Sequence, residues 1–83
     1  MEKILVKLYV PKIEEKYDIW IPTNRKIYSV IDLLVKAISE FSGGYYLPEN
    51  RPILYNKLTA KAYNINMRVY ETSIKNGTEL ILV

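Results

Sequence analysis

The hydroxyls that could act as nucleophiles are Ser29, Ser39, Ser42 and Ser73, in an 83-residue chain with no histidine and no cysteine. A serine attacks only when a neighbouring base takes its proton, and the commonest base is absent. The same absences remove the usual zinc ligands, thiolate–metal sites and disulfides. Glu14 and Glu15 are adjacent carboxylates, but they fall in a polar link between two strand patterns, where solvated acids are expected. Gly43-Gly44 lacks the Lys and Ser/Thr that follow the glycine of a phosphate loop. The expectation is therefore no catalytic residue, no metal ligand and no cofactor: a protein that binds rather than an enzyme.

Charge narrows what it binds. The net charge is +3, and Lys and Arg are scattered among Asp and Glu. A nucleic-acid surface needs cations concentrated on one face, so no nucleic-acid partner is expected. The eight tyrosines could stack on single-stranded bases only if several shared a face with Lys and Arg. Strand propensity is the simpler account of them. The amino-terminal run Met1-Glu2-Lys3-Ile4-Leu5-Val6-Lys7 is broken by Lys7 and precedes no cleavage-site pattern, so it does not read as a signal peptide. No apolar run approaches the length of a membrane span, and no direct membrane insertion is expected. With zero cysteine, a cytoplasmic location fits.

Two periodicities organise the chain, expected to be one domain over 1–83. Lys3 to Val10 alternates, with Ile4, Val6, Leu8 and Val10 on one side, and Pro11 ends the run. After the polar link Lys12 to Lys16, Tyr17 to Ile21 alternates again and Pro22 closes it; the two runs read as a hairpin. Then Ile27, Val30, Ile31, Leu34, Ile38 and Phe41 recur at spacings of three and four, one apolar face of a helix. Thr23-Asn24 could cap its start, and Ser29 with Asp32 is the rival. Gly43-Gly44 stops it. Pro52 to Lys57 predicts a third strand, with Ile53 and Tyr55 inward and Leu54 outward. Thr59 to Asn64 could carry a short fourth. Val69 to Ile74 reads as a turn or 3₁₀ segment leading to Asn76-Gly77, and Thr78 to Val83 is the last strand, with Leu80 and Leu82 on the inner face.

A long amphipathic helix after a hairpin must bury its apolar face on the sheet, which makes a two-layer α+β domain. The first and last strands, both rich in Ile, Leu and Val, are expected to lie centrally, side by side and parallel, with the helix segment supplying the crossover. The expected core is Ile4, Val6 and Leu8; Ile19 and Ile21; Ile27, Val30, Ile31, Leu34 and Ile38; Ile53 and Tyr55; and Ile74, Leu80 and Leu82. On the same alternation Leu5, Tyr9, Trp20 and Leu54 point away from the helix. Four large apolar groups together on the outer face would mark a protein-interaction surface.

Nearly the whole chain resembles the ubiquitin superfamily: the opening hairpin, Pro22-Thr23-Asn24 before the helix, the glycine stop, Arg51-Pro52-Ile53-Leu54-Tyr55, and the closing run from Val69 to Leu82. The resemblance implies a ubiquitin-like β-grasp: a mixed four- to five-stranded sheet with one helix packed across one face. Leu54 then resembles the centre of the hydrophobic patch that ubiquitin offers its receptors. Within the superfamily, Tyr17-Asp18-Ile19-Trp20-Ile21, Val30-Ile31-Asp32-Leu33, Asn56-Lys57 and Ile74-Lys75-Asn76-Gly77 are similar to segments of the YukD/EsaB family, associated with type VII (ESX/WXG100) secretion in Gram-positive bacteria. That resemblance implies an accessory or regulatory protein whose partner is a component of the secretion machinery or a second copy of itself, as a homodimer. A ubiquitin-like scaffold or regulatory subunit of another complex is the alternative. Conjugation needs a C-terminal Gly-Gly, and this chain closes Glu79-Leu80-Ile81-Leu82-Val83, so a non-conjugated protein is expected.

Overall fold

A computed structural model describes residues 2–83. Strand β1 (Lys3–Val10) turns through a 3₁₀ segment at Pro11–Ile13 into β2 (Glu15–Pro22). Glu14 closes this turn at φ 52°, its N–H donating to the Pro11 carbonyl at 3.1 Å. The link is tighter than the sequence suggested, so β2 begins two residues before Tyr17. Helix α1 (Ile27–Phe41) spans the segment expected from its periodicity. Strands β3 (Leu54–Asn56) and β4 (Glu79–Leu82) complete one sheet in the order β2-β1-β4-β3. β1 and β4 are parallel neighbours at the centre, and β1/β2 and β3/β4 are antiparallel.

The ends of α1 are held differently. At its start no side chain caps it: Lys26 is the N-cap residue, and neither Thr23-Asn24 nor Ser29 takes that role. Two of the first amides find main-chain acceptors instead, Ile27 N–H donating to the Met67 carbonyl at 2.8 Å and Tyr28 N–H to that of Ile65 at 3.1 Å. Those orphan donors would otherwise need side chains or water. At the other end Gly43 (φ 67°) and Gly44 (φ 90°) donate back to the Glu40 and Ser39 carbonyls at 3.2 and 2.9 Å. This is the paired-bond glycine stop, which residues with a Cβ enter only at a cost.

The core lies between α1 and the sheet. Val6, Leu8, Leu80 and Leu82 meet Ile27, Val30, Ile31, Leu34 and Ile38, all 1 % exposed or less. Three expectations need correction. Leu54 is 1 % exposed and faces the helix, whereas Ile53 is 48 % exposed and Tyr55 half-buried on the far side. β3 pairs Leu54 with Leu82 and Tyr55 with Ile81, so its parity follows β4 and is the reverse of that expected. A one-residue slip exchanges every side chain between faces, and a strand this short holds too few residues for its pattern to reveal the slip. Ile19, on the edge strand, is half-buried and packs against the core from its margin. Finally, Thr59–Asn64 forms no strand, only a bridge from Ala62 to Tyr55.

Besides Leu54, three residues of the core lie outside the expected set. Val10 completes the inward row of β1, Tyr46 enters from the loop after the helix at 2 % exposure, and Val69 sits in the 3₁₀ turn at Val69–Glu71. The Ser42 hydroxyl donates to the Ser39 carbonyl and accepts the Tyr46 N–H at 3.1 Å, which anchors the backbone that carries the buried phenol. Burial pushes the Tyr46 phenol above its ordinary pKa, because the phenolate loses its hydration.

Candidate protein-docking surface

The groups with nucleophilic or acidic chemistry are placed structurally. Ser42 serves the helix stop, Ser29 Oγ accepts from Arg25 at 3.4 Å, and Glu14 in the hairpin turn and Glu15 at the start of β2 stand exposed. Among the described residues, no three His, Cys, Asp or Glu gather as metal ligands would, and no helix is long and apolar enough to cross a membrane.

The outer face of the sheet is open, and the register arranges it in rows. The first is Trp20 opposite Leu5, beside Asn76, whose Oδ1 accepts the Leu5 N–H at 2.8 Å. The second crosses β2, β1 and β4 as Asp18, Lys7 and Glu79 and ends on Lys57 just past β3, with alternating charge. Lys57 Nζ lies 3.9 Å from Glu79 Oε1, the two side chains 45 % and 40 % exposed. Such a pair contributes under about 1 kcal/mol, so the ladder sets the pattern of the face more than its stability. The third row is Lys16, Tyr9, Ile81 and Tyr55, with Lys16 Nζ 5.8 Å from the Tyr9 ring centroid. Beyond it Ile53 and Val83 exchange backbone hydrogen bonds at 2.8 and 2.9 Å, and both side chains are exposed.

The four residues singled out from the sequence therefore separate. Leu5 and Trp20 are cross-strand neighbours, and Trp20 is 61 % exposed. Tyr9 lies on the same face four residues further on, about 13 Å along the strand and beyond the Lys7/Asp18 row. Leu54 is on the opposite side, under the helix. Its place on the outer face is taken by Tyr55, beside Ile81. Ile81 was legible from the inward placing of Leu80 and Leu82. Tyr55, Ile53 and Val83 required the β3 register. The outer face thus carries two apolar areas divided by a charged ladder.

No protein-family model and no curated protein sequence matches this chain. Solved structures do. The EccD5 ubiquitin-like domain from Mycobacterium xenopi matches over the whole of this chain and 94 % of that one, with a TM-score of 0.80 at 17 % identity. The ubiquitin-like domain of the Mycobacterium tuberculosis type VII secretion system protein EccD1 matches over all of this chain and 99 % of that one, with a TM-score of 0.78 at 16 % identity. A chain of the toluene 4-monooxygenase HD complex with 4-bromobenzoate matches over 98 % of this chain and 96 % of that one, with a TM-score of 0.77 at 10 % identity. At these identities the likeness is one of fold. The sheet order, the parallel central pair and the single crossing helix, together with these matches, show that the chain has the ubiquitin-like β-grasp fold.

Proposed function

We propose that this protein is a ubiquitin-like accessory or regulatory component of a bacterial type VII secretion system, acting in the cytoplasm by binding another protein of the machinery. The resemblance of its segments to the YukD/EsaB family of Gram-positive bacteria supports the reading, as does the fold shared with the EccD5 and EccD1 domains. The carrying observation is the outer sheet face. Trp20 at 61 %, Val83 at 63 % and Ile53 at 48 % are exposed there beside Leu5, Tyr9, Tyr55 and Ile81. Aromatic groups among charged ones are the usual anchors of a protein interface. The charge ladder between the two areas would select a partner with the complementary order of charges.

The test is calorimetric titration of the soluble domains of the type VII components encoded beside this gene. The comparison is between the natural protein and Trp20→Ala/Ile81→Ala, after circular dichroism has shown the variant folded. Affinity should fall at least about tenfold; unchanged affinity removes the outer-face reading. The second reading, a scaffold or regulatory subunit of another multiprotein complex, is favoured by the likeness to the toluene 4-monooxygenase chain. A gene neighbourhood of oxygenase subunits in place of a secretion ATPase and small WXG-type proteins would select it.

A further inference from the structure

The two edges of the sheet are unlike. Beyond β3 the chain folds back on itself: Asn56 N–H donates to the Lys61 carbonyl at 3.0 Å and Tyr63 N–H to that of Leu54 at 3.1 Å. Asn56 Oδ1 accepts the Leu58 and Thr59 amides, which holds this cover in place. Beyond β2, no backbone group of Lys16, Asp18 or Trp20 finds a partner outside the sheet among the described residues. The ladder shows which groups are free. Thr23 N–H donates to the Glu2 carbonyl at 3.0 Å, and alternate pairs below it, Ile21/Ile4, Ile19/Val6 and Tyr17/Leu8, continue the bonding toward β1. Lys16, Asp18 and Trp20 therefore aim both N–H and C=O at solvent.

We propose that this edge pairs with the same edge of a second copy, antiparallel about a two-fold axis at Tyr17, to make one continuous eight-stranded sheet. Charge complementarity selects the occupant and the register. An axis at Tyr17 sets Lys16 opposite Asp18 of the second copy, and Asp18 opposite its Lys16. Each of these pairs exchanges two backbone hydrogen bonds. An axis at Asp18 would bring two carboxylates face to face. One at Ile19 would oppose Asp18 to an indole and Lys16 to Pro22, which has no N–H to give. Charged residues on an edge strand normally discourage pairing; here their order is self-complementary. On the helix side the axis brings the two Tyr17 rings together. Each is already backed by Phe41, 5.6 Å away between centroids and 60 % exposed. The contact shares only Lys16 and Asp18 with the outer-face reading, and it leaves the rest of both outer faces open on the same side of the joined sheet.

A contact of two short strands belongs with small, transient interfaces, so dissociation on the order of 10⁻⁴ M is expected. Sedimentation equilibrium from about 10 μM to 1 mM tests it, alongside the amide shifts of Lys16 and Asp18 over the same range by NMR. Lys16→Glu alone and Asp18→Lys alone put like charges opposite each other twice, and each should weaken the dimer at least about tenfold. The Lys16→Glu/Asp18→Lys double variant exchanges the charges and should restore it to within about threefold. A monomer at every concentration overturns the proposal. So does a dimer in which the Lys16 and Asp18 amides do not shift, or one in which the double variant does not recover; the latter results would assign association to another register or to the outer face. Trp20→Ala/Ile81→Ala should leave the dimer intact, so this proposal and the outer-face reading fail separately: the first by loss of the concentration dependence, the second by unchanged affinity for the secretion-system domains.

Discussion

On the helix side of the sheet, Val6, Leu8, Leu80 and Leu82 are at most 1 % exposed, and no charged residue is buried among them. On the other side, the residues that alternate with them are Leu5, Lys7 and Tyr9 in β1 and Glu79 and Ile81 in β4, half-buried or exposed. The strands are the same; the chemistry differs because one face has a helix over it and the other has water or a partner. A leucine on the inner face contributes to stability, and an aromatic group on the outer face remains available for binding. The contrast explains how a chain of this size can keep large apolar groups exposed: α1 already supplies the cover that a small sheet needs.

The sharpest way to break the comparison is to change neighbours of opposite parity in one strand. Leu54→Ala, under the helix, should cost about 2–5 kcal/mol by urea denaturation, as should Leu80→Ala. Tyr55→Thr, one residue along and on the open face, should cost about 1 kcal/mol or less, since threonine keeps the strand preference and loses only a cross-strand pair. Equal losses at positions 54 and 55 would mean that β3 has no fixed parity and that the two faces are not distinct there.

That strand is also where reading from sequence met its limit. β1 and α1 were legible because each repeats its period several times: alternation over Lys3–Val10, and three–four spacing from Ile27 to Phe41. The parallel central pair followed from which strands were most apolar. β3 has one partner strand and three residues, and Ile53-Leu54-Tyr55 is apolar throughout, so nothing local distinguishes its faces. Tyr46 and Val69 lie in irregular segments, where burial is decided by distant contacts and no period announces it. The candidate site was legible in the same proportion. Leu5, Tyr9 and Trp20 follow from the hairpin alternation, but the charged row between them requires β1, β2 and β4 in register together.

The charged row gives a smaller and more specific effect. Lys7 stands between Asp18 on one side and Glu79 on the other. Lys7→Glu replaces two opposite-charge neighbours with two like ones and should cost about 0.5–2 kcal/mol at low salt. Because the row is solvated, about half of that cost or more should disappear at about 1 M NaCl, where the screening length falls to about 3 Å. A salt-independent loss would show that Lys7 acts through packing, and the outer face would then resemble the inner one more closely than the exposures indicate.

The smallest expected effect comes from the buried residue that carries a titratable group. Tyr46 is 2 % exposed, and burial raises its pKa above the ordinary 10.0. The folded state therefore holds the phenol proton more tightly than the unfolded chain does. The sign follows from linkage: where the unfolded chain has lost a proton that the folded one keeps, stability falls as pH rises. The contribution is complete below the unfolded value and is lost as pH climbs through 10.0 toward the folded value. Tyr46→Phe keeps the ring in the core and removes the proton. Urea midpoints measured from about pH 8 to 11 should decline less steeply in the phenylalanine variant, whatever its baseline, because the two proteins differ only in the Tyr46 phenol. Parallel declines would show that the Tyr46 oxygen reaches water in the folded state, leaving this edge of the inner face more open than its burial indicates.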